Sequence, residues 1–179
     1  DVLLYNVITE ETTTVSRGSN SPYASDPVLS ANGQLVAFSE AKPGGAGGQD
    51  VFLYDRDTGQ KTLVGSVIGS TADESVSFGP SISLDGKFIA FTSTSNHLVA
   101  GQTGSPFFHD VFLYTGGTTI LVSQSLTGTT TTGNSTSGGA VISGDGKFVA
   151  FTSSASDLVP GDTNVNSDVF LFKNPSLFV

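Results

Sequence analysis

The sequence predicts an all-β fold built from repeated four-stranded antiparallel sheets. Its composition favours strands joined by many turns, because 22 Gly and 46 Ser and Thr residues stand beside only 13% charged residues in a chain of 179. An Asp-Val-(Leu/Phe)-Leu-(Tyr/Phe) segment begins at Asp1, Asp50, Asp110 and Asp168. An (Asn/Asp)-Gly segment ending in Ala-Phe begins at Asn32, Asp85 and Asp145. These two sequence motifs recur in a fixed order, roughly every 50–60 residues, and therefore indicate an internal repeat.

Composition also excludes several classes of protein. A formal net charge of −9 argues against binding to the phosphate backbone of nucleic acids. The absence of cysteine excludes disulfides, thiolate zinc sites and thiol catalysis. No apolar run approaches the roughly 18 residues of a membrane-spanning helix. We therefore expect neither a nucleic-acid partner nor a membrane span.

Each full repeat has four predicted strands, a to d. In the middle repeat these are residues 81–84, 87–92, 111–114 and 119–123, with an Asp85-Gly86 hairpin turn between strands a and b. Strands b and c are continuous apolar runs, as in residues 148–151, so both of their faces must be covered. Sheets packed between similar sheets are the blades of a β-propeller.

The pattern divides the chain into four parts. Residues 1–16 are strands c and d of a partial blade, 17–65 and 66–123 are complete blades, and 124–179 form the last blade. Strand d of the last blade falls in residues 176–179 if it is present. About three and a half blades leave the ring open, because closed propellers typically need at least four. The chain is then a piece of a longer protein, or it assembles with another copy or partner.

The repeated motif resembles a known family. Ser-x-Asp-Gly-Lys-Phe-x-Ala-Phe-Thr-Ser, followed after a loop by Asp-Val-Phe-Leu-Tyr, is similar to the TolB-type β-propeller repeat of bacterial proteins. That family often has proline before the Asp-Gly turn, where Ala31, Leu84 and Gly144 stand here. The loops are longer than those of TolB and resemble propeller repeats of large secreted or surface-attached bacterial proteins. The resemblance implies a fold and an extracellular, cell-surface or periplasmic location, but it is weak for function.

The predicted loops differ between the two ends of the blades. Antiparallel order places the short a–b and c–d turns at one end, and the long b–c and d–a loops at the other. Functional residues concentrate on loops held by a rigid scaffold, so we expect function at the long-loop end. The alternative is that these loops have no function and are tolerated, because lengthening a loop costs little free energy.

One loop carries a candidate metal site. Asp162, Asn164, Asn166 and Asp168 place oxygen side chains at alternate positions, a spacing that lets a tight loop converge on Ca²⁺. An EF-hand would have Gly at the sixth position and Glu at the twelfth, where Ser167 and Lys173 stand. The equivalent loops of the other blades lack the pattern. We expect weak, structural calcium binding, with an ordinary Asx-turn loop as the alternative.

Two more loop segments are noteworthy. Phe107 and Phe108 follow Pro106 in a polar loop; they either fold over the blade edge to extend the core or form a partner-binding patch. The Thr-, Gly- and Asn-rich residues 127–136 suggest a solvated, mobile loop or a site for O-glycans.

The sequence shows no set of residues typical of a catalytic site. There is no Gly-x-Ser-x-Gly elbow, and the two candidate bases, His97 and His109, lie in one loop. The sequence favours a non-catalytic scaffold or binding module with a protein or glycan partner. Two alternatives stay open: the propeller domain of a larger hydrolase or peptidase, and a periplasmic TolB-like partner of an envelope complex.

Overall fold

The computed structural model describes residues 1–16, 23–42, 48–65 and 75–178. In this part of the chain the strands form four antiparallel sheets. The partial blade contains β1 (Leu3–Tyr5) and β2 (Thr12–Thr14); blade 1 contains β3 (Ala24–Leu29), β4 (Leu35–Ala41), β5 (Gln49–Asp55) and β6 (Lys61–Val64); blade 2 contains β7 (Ser77–Ile82), β8 (Phe88–Ser93), β9 (Asp110–Thr115) and β10 (Thr118–Leu121); the last blade contains β11 (Ser137–Ile142), β12 (Phe148–Ser153) and β13 (Asp168–Lys173).

The predicted fold class is confirmed. Each full sheet has its strands side by side in chain order, as the strand meander of a propeller blade requires, and the blades do not close into a ring. The predicted blade boundaries near residues 17 and 66 lie outside the described residues. No helix in the described part has the length and apolar character needed to cross a membrane.

The last blade contains no strand d in its described residues. Where the sequence analysis placed one, a 3₁₀ helix spans Pro175–Leu177. Asn174 holds this turn, because its side-chain oxygen accepts a hydrogen bond from the Ser176 N–H and its amide donates to the Gly146 carbonyl at 2.9 Å. Pro175 also lacks the N–H that a paired strand needs. The chain therefore turns away from β13 instead of returning along it.

Strand a begins and ends earlier than predicted, and it contains a β-bulge. In blade 2 the register between β7 and β8 shifts between Phe78 and Ser81. Gly79 lies there with φ of 61°, a left-handed conformation that glycine adopts readily. Gly139 has φ of 65° at the equivalent bulge of the last blade. Gly79 precedes the predicted strand a, residues 81–84, but it lies inside β7.

The core lies between the blades. Successive residues of one strand face opposite neighbours: in β8, Ile89 and Phe91 pack toward blade 1, whereas Phe88 and Ala90 pack toward the last blade. This explains why strands b and c are apolar on both faces. The buried residues between blades 1 and 2 are Ala37, Val51, Val64, Ile89, Phe91, Leu98, Phe112 and Leu121.

The short a–b turns are built from local hydrogen bonds. In blade 2 the Ser83 hydroxyl donates to the Asp85 carboxylate at 2.7 Å and accepts from the Phe88 N–H at 3.1 Å. Ser143 and Asp145 repeat the arrangement. The serine hydroxyl is the main cause that lowers the pKa of each aspartate. The predicted hairpin turns are thus confirmed, with a serine that fixes each one.

Neighbouring turns are joined by backbone hydrogen bonds. The Ala31 N–H donates to the Leu84 carbonyl, and the Leu84 N–H donates to the Gly144 carbonyl, both at 2.9 Å. These are the positions at which the TolB-type family often has proline. Proline lacks an N–H, so these blade-to-blade bonds require a residue other than proline at positions 31 and 84.

Replacing Leu84 by proline should therefore destabilise the chain. The variant loses the N–H that donates to Gly144, with an expected cost of about 0.5–1.5 kcal/mol in the free energy of unfolding. Leu84→Ala keeps the N–H and is the matched control. Urea unfolding of both variants measures the difference, and an equal loss in the two would assign no stabilising role to this bond.

Candidate binding surface on the long loops

Three long loops extend from the same end of blade 2 and the last blade. Loop 1 comprises residues 94–109 between β8 and β9, loop 2 residues 122–136 between β10 and β11, and loop 3 residues 154–167 between β12 and β13. We call this end of the two blades the long-loop face. The corresponding loop of blade 1 includes residues 43–47, which lie outside the described part.

Loop 1 is held by the side chain of Gln102. Its oxygen accepts hydrogen bonds from the N–H groups of Leu98 at 3.1 Å and Val99 at 3.2 Å. Its amide donates to the Ser95 carbonyl at 3.0 Å. One side chain thus satisfies three backbone groups that no strand pairs. Asp162 occupies the equivalent position in loop 3.

Loop 2 pairs with loop 1 through its backbone. The Thr103 N–H donates to the Thr130 carbonyl, and the Thr132 N–H donates to the Thr103 carbonyl, both at 2.9 Å. Thr103 and Thr131 thus form a parallel β-bridge, and their hydroxyls lie 3.1 Å apart. This pairing fixes the position of loop 1, which lies within blade 2, relative to loop 2, which connects blade 2 to the last blade.

Loop 2 is also bound to loop 3. The Asn134 N–H donates to the Asp157 carboxylate at 2.9 Å, and the Asn134 side chain exchanges two hydrogen bonds of 3.0 Å with Ser156. Gly133 is buried, and a Cβ there would lie 2.8 Å from the side chains of Ala155 and Leu158. Tertiary hydrogen bonds and close packing therefore hold loop 2 between its neighbours, and a site for O-glycans in this loop stays a prediction.

The two phenylalanines of loop 1 have different environments. Phe107 is 87% exposed and does not extend the core, whereas Phe108 is half-buried. The half-buried His109 contacts the ring of Phe78 edge-on at 5.4 Å, and its carbonyl accepts from the Ser137 N–H. The structure thus leaves Phe107 as the more available of the two candidate contact residues.

The candidate calcium loop is arranged as an Asx turn. The Asn164 side-chain oxygen accepts from the Asn166 N–H at 2.8 Å, and its amide donates to both carboxylate oxygens of Asp168. Asp162, Asn164 and Asp168 line one groove of about 480 Å³, but Asn166 does not. Among the described residues no group of three or more His, Cys, Asp or Glu side chains could hold a metal ion.

We propose that Ca²⁺ binds this groove once Asn164 turns its oxygen toward the ion. With a dissociation constant near 1 mM, 10 mM Ca²⁺ should stabilise the chain by about 1.4 kcal/mol. That corresponds to a rise of about 3–6 °C in melting temperature. Asp162→Ala should abolish the rise. Asp57→Ala, which removes an exposed carboxylate elsewhere, should keep it, and Gln102→Ala should lower the melting temperature equally with and without calcium. An unmoved wild-type curve would leave the loop as an ordinary Asx turn.

In blade 2 and in the partial blade, the aspartate at the start of strand c accepts a hydrogen bond from a serine beyond strand d. In blade 2 the Ser123 hydroxyl donates to Asp110 at 2.8 Å and accepts from the Val111 N–H at 3.0 Å. Ser16 and Asp1 form the same pair in the partial blade at 3.3 Å. The pair joins the two strands where the long loops begin, so we assign it an architectural role.

Asp110 lies in an unusual electrostatic environment. The residue is only 3% exposed. Burial raises its pKa to about 7, against the lowering effect of the Ser123 hydroxyl and with a further rise from the negative charge of Asp157. The carboxyl is therefore partly protonated near neutral pH, and the base of the long-loop face carries a titrating group.

Solved structures with a fold similar to that of this chain include two TolB proteins and a protease. TolB from Acinetobacter baumannii is 16% identical with a TM-score of 0.53, over 96% of this chain and 34% of TolB. A TolB structure from Agrobacterium tumefaciens is 19% identical, TM-score 0.52, over 89% and 47%. The tricorn protease is 17% identical, TM-score 0.56, over 98% and 16%.

These likenesses define the class of fold. The chain has the β-propeller fold of TolB-like proteins and spans less than half the length of each of these structures. At such identities the similarity concerns the fold alone. No family model matches the sequence, and no curated protein sequence matches it.

Proposed function

We propose that the chain is a non-catalytic β-propeller module that binds a protein or glycan partner with its long-loop face. The main support for the proposal is a set of hydrogen bonds that join loop 2 to loop 1 and to loop 3. These bonds hold the three long loops in one arrangement. Preordered loops lose less conformational entropy when they bind a partner. Such loops on a rigid scaffold are the usual place for recognition.

Phe107 is the proposed apolar contact residue of this face. Its exposed ring contributes little to the folded chain and would become buried in a complex, as aromatic residues commonly are at the centres of interfaces. Phe108, half-buried beside it, would position the segment. The two residues together are the partner-binding pair that we propose.

A location outside the cytoplasm is part of the same proposal. A calcium site of about millimolar affinity is useful only where calcium is millimolar, as on a bacterial surface, in the extracellular medium or in the periplasm. The likeness in fold to TolB agrees with such a location.

Binding of labelled protein to isolated bacterial cell envelopes tests the proposal. We expect saturable binding by the wild type that falls at least about tenfold in Phe107→Ser, since an anchor residue at an interface is worth about 1.4 kcal/mol or more. Asp57→Ser, on an exposed turn at the opposite end of blade 1, is the control. Absence of saturable binding, or equal binding by Phe107→Ser, would contradict the proposal.

We also infer that the ring is completed by further repeats or by another copy of the chain. In blade 2, Val111 and Leu113 are fully buried against the last blade. Their equivalents on the outer face of the last blade, Val169 and Leu171, are 78% and 70% exposed. A face that repeats a buried interface is best covered by another blade.

The alternative, a propeller domain of a larger hydrolase or peptidase, makes a different prediction. The long-loop face would then contact a catalytic domain of the same protein, and envelope binding would be absent. A periplasmic partner of an envelope complex would instead bind envelopes through one protein component and lose binding after protease treatment.

A further inference from the structure

The aspartate at the start of strand c has a different environment in each of the three larger blades. In blade 1, the Lys42 ammonium lies 3.6 Å from the carboxylate of Asp50. In the last blade, Asp168 is half-buried and accepts from the exposed amide of Asn164. In blade 2, Asp110 is buried, and among the described residues no cation lies within ion-pair distance of it. Asp110 is therefore a buried carboxyl without a compensating charge.

The three long loops are connected through this carboxyl and that of Asp157. Loop 1 ends at the residue before Asp110. At the start of loop 2, the Ser123 hydroxyl donates to Asp110 at 2.8 Å, and the Ser123 carbonyl accepts from the Gly133 N–H at 3.1 Å. Near the end of loop 2, the Asn134 N–H donates at 2.9 Å to the carboxylate of Asp157, which belongs to loop 3. Loop 2 is thus bonded to one carboxyl at its start and to another near its end.

Few titratable groups surround Asp110. Those that the neighbouring elements contribute are Glu40, Lys42 and Asp50 of blade 1, His97 and His109 of loop 1, Tyr114 of β9, and Asp157 and Asp162 of loop 3. Loop 2 and the strands β7, β8, β10, β11 and β12 contain none. Burial is the main cause that raises the pKa of Asp110, and among these groups it is the negative charge of Asp157 that raises it further.

We propose that Asp110 makes the order of the long-loop face depend on pH. While its carboxyl is neutral, loop 2 stays bonded to loops 1 and 3. When the carboxyl ionises, loop 2 opens more readily, because opening hydrates a buried charge and separates it from the charge of Asp157. As regulation of partner binding this inference rests on the proposed function, but the opening of the loop is measured on the chain alone.

The direction of the effect follows from the proton that the closed face retains. The buried carboxyl holds its proton up to about pH 7, whereas a carboxyl exposed by opening has the ordinary pKa of about 3.9. The stabilisation of the closed face by this proton is complete below about pH 4 and is lost as the pH rises through about 7. Between about pH 5.5 and about pH 7.5 the open fraction should therefore rise by up to about twentyfold.

Amide hydrogen exchange tests the inference, with each rate divided by that of an unstructured amide at the same pH. The reporters are the N–H groups of Thr132, Gly133 and Asn134, which bond to loop 1, to Ser123 and to loop 3. We expect their protection to fall about fivefold to twentyfold between about pH 5.5 and about pH 7.5. The Ala31 N–H, in the short turn at the other end of blade 1, should keep its protection, because fraying of that turn does not expose Asp110.

Four variants separate Asp110 from the groups around it. Asp110→Asn should make the protection of loop 2 independent of pH, because an amide is neutral and its oxygen can still accept from Ser123. Asp50→Asn, at the same position in blade 1, should keep the wild-type fall. So should His109→Gln, which removes an imidazole that titrates in the same range. Asp157→Asn removes the repelling charge but not the burial, so the fall should persist and end at a lower pH.

The inference is overturned if the protection of loop 2 in the wild type does not change with pH, or if it falls equally in Asp110→Asn. It is also overturned if His109→Gln abolishes the fall, because the imidazole would then be the titrating group. Envelope binding at the same pH values tests the regulatory role separately. We expect weaker binding at about pH 7.5 by the wild type and not by Asp110→Asn, in proportion to the closed fraction that is lost. Equal binding at both pH values would overturn the regulatory role, whereas absent binding at both would contradict the proposed function and leave the exchange result standing.

Discussion

Truncating Phe112 to alanine should lower the free energy of unfolding by about 3–5 kcal/mol. Phe112 is fully buried between blade 1 and blade 2, and its ring stacks on that of Phe91 with centroids 5.7 Å apart. The loss combines the transfer free energy of the ring with the cavity left behind. Urea denaturation, followed by tyrosine fluorescence or circular dichroism, measures it.

Phe170→Ala is the matched control, because Phe170 holds the same position in the last blade. It stacks on Phe151 at 5.5 Å, but it is only half-buried, since β13 has no strand d beside it among the described residues. Phe170 is therefore less buried than Phe112, although the two residues hold the same position in the repeat. Its truncation should cost about half as much as that of Phe112. A loss below about 1 kcal/mol for Phe112 would mean that the blade register is incorrect.

Replacing Asp110 by asparagine should flatten the dependence of stability on pH. The pKa of this carboxyl is raised to about 7, so between about pH 4 and pH 7 the native state holds a proton that the unfolded chain has lost. Stability therefore falls as pH rises through this window, by at most about 1.4 kcal/mol for each pH unit. The asparagine amide is neutral at every pH and its oxygen can still accept from Ser123, so the variant should be the more stable one at pH 8.

Chemical denaturation of both proteins at several pH values checks this expectation. At pH 4 the two should be similarly stable, because Asp110 is protonated in the native wild type. Asp57→Asn, which changes an exposed carboxylate, should follow the wild-type profile. If Asp110→Asn and the wild type lose stability in parallel between pH 4 and pH 7, the carboxyl is ionised and its burial is not the controlling factor.

The sequence predicts the local elements well because their causes are local. The Asp85-Gly86 turn follows from one carboxylate and one glycine, with Ser83 two residues before the aspartate. Strands b and c follow from their apolar runs, and in blade 2 both faces of these strands are buried. The bulge at Gly79 escapes prediction, since a glycine with positive φ is read as a turn unless the pairing on both sides of it is known.

Contacts between distant segments could not be predicted. Residues 127–136 have the composition of a solvated loop, yet Asn134 is fixed by residues of loop 3 more than twenty positions away. The raised pKa of Asp110 likewise depends in part on the negative charge of Asp157, a residue of loop 3. The four repeats of the strand-c motif look alike in sequence, but their exposure differs because the neighbouring blade or strand differs.

Site-specific photocrosslinking compares the two ends of the blades most directly. A photoreactive residue is placed at Phe107 or Leu126 on the long-loop face, and at Asp57 or Lys87 on the short turns, in chains that are all exposed to bacterial envelopes. We expect covalent adducts of one discrete partner from the long-loop positions and none from the turns. Adducts from the short turns alone, or equally from both ends, would contradict the assignment of partner binding to the long-loop face.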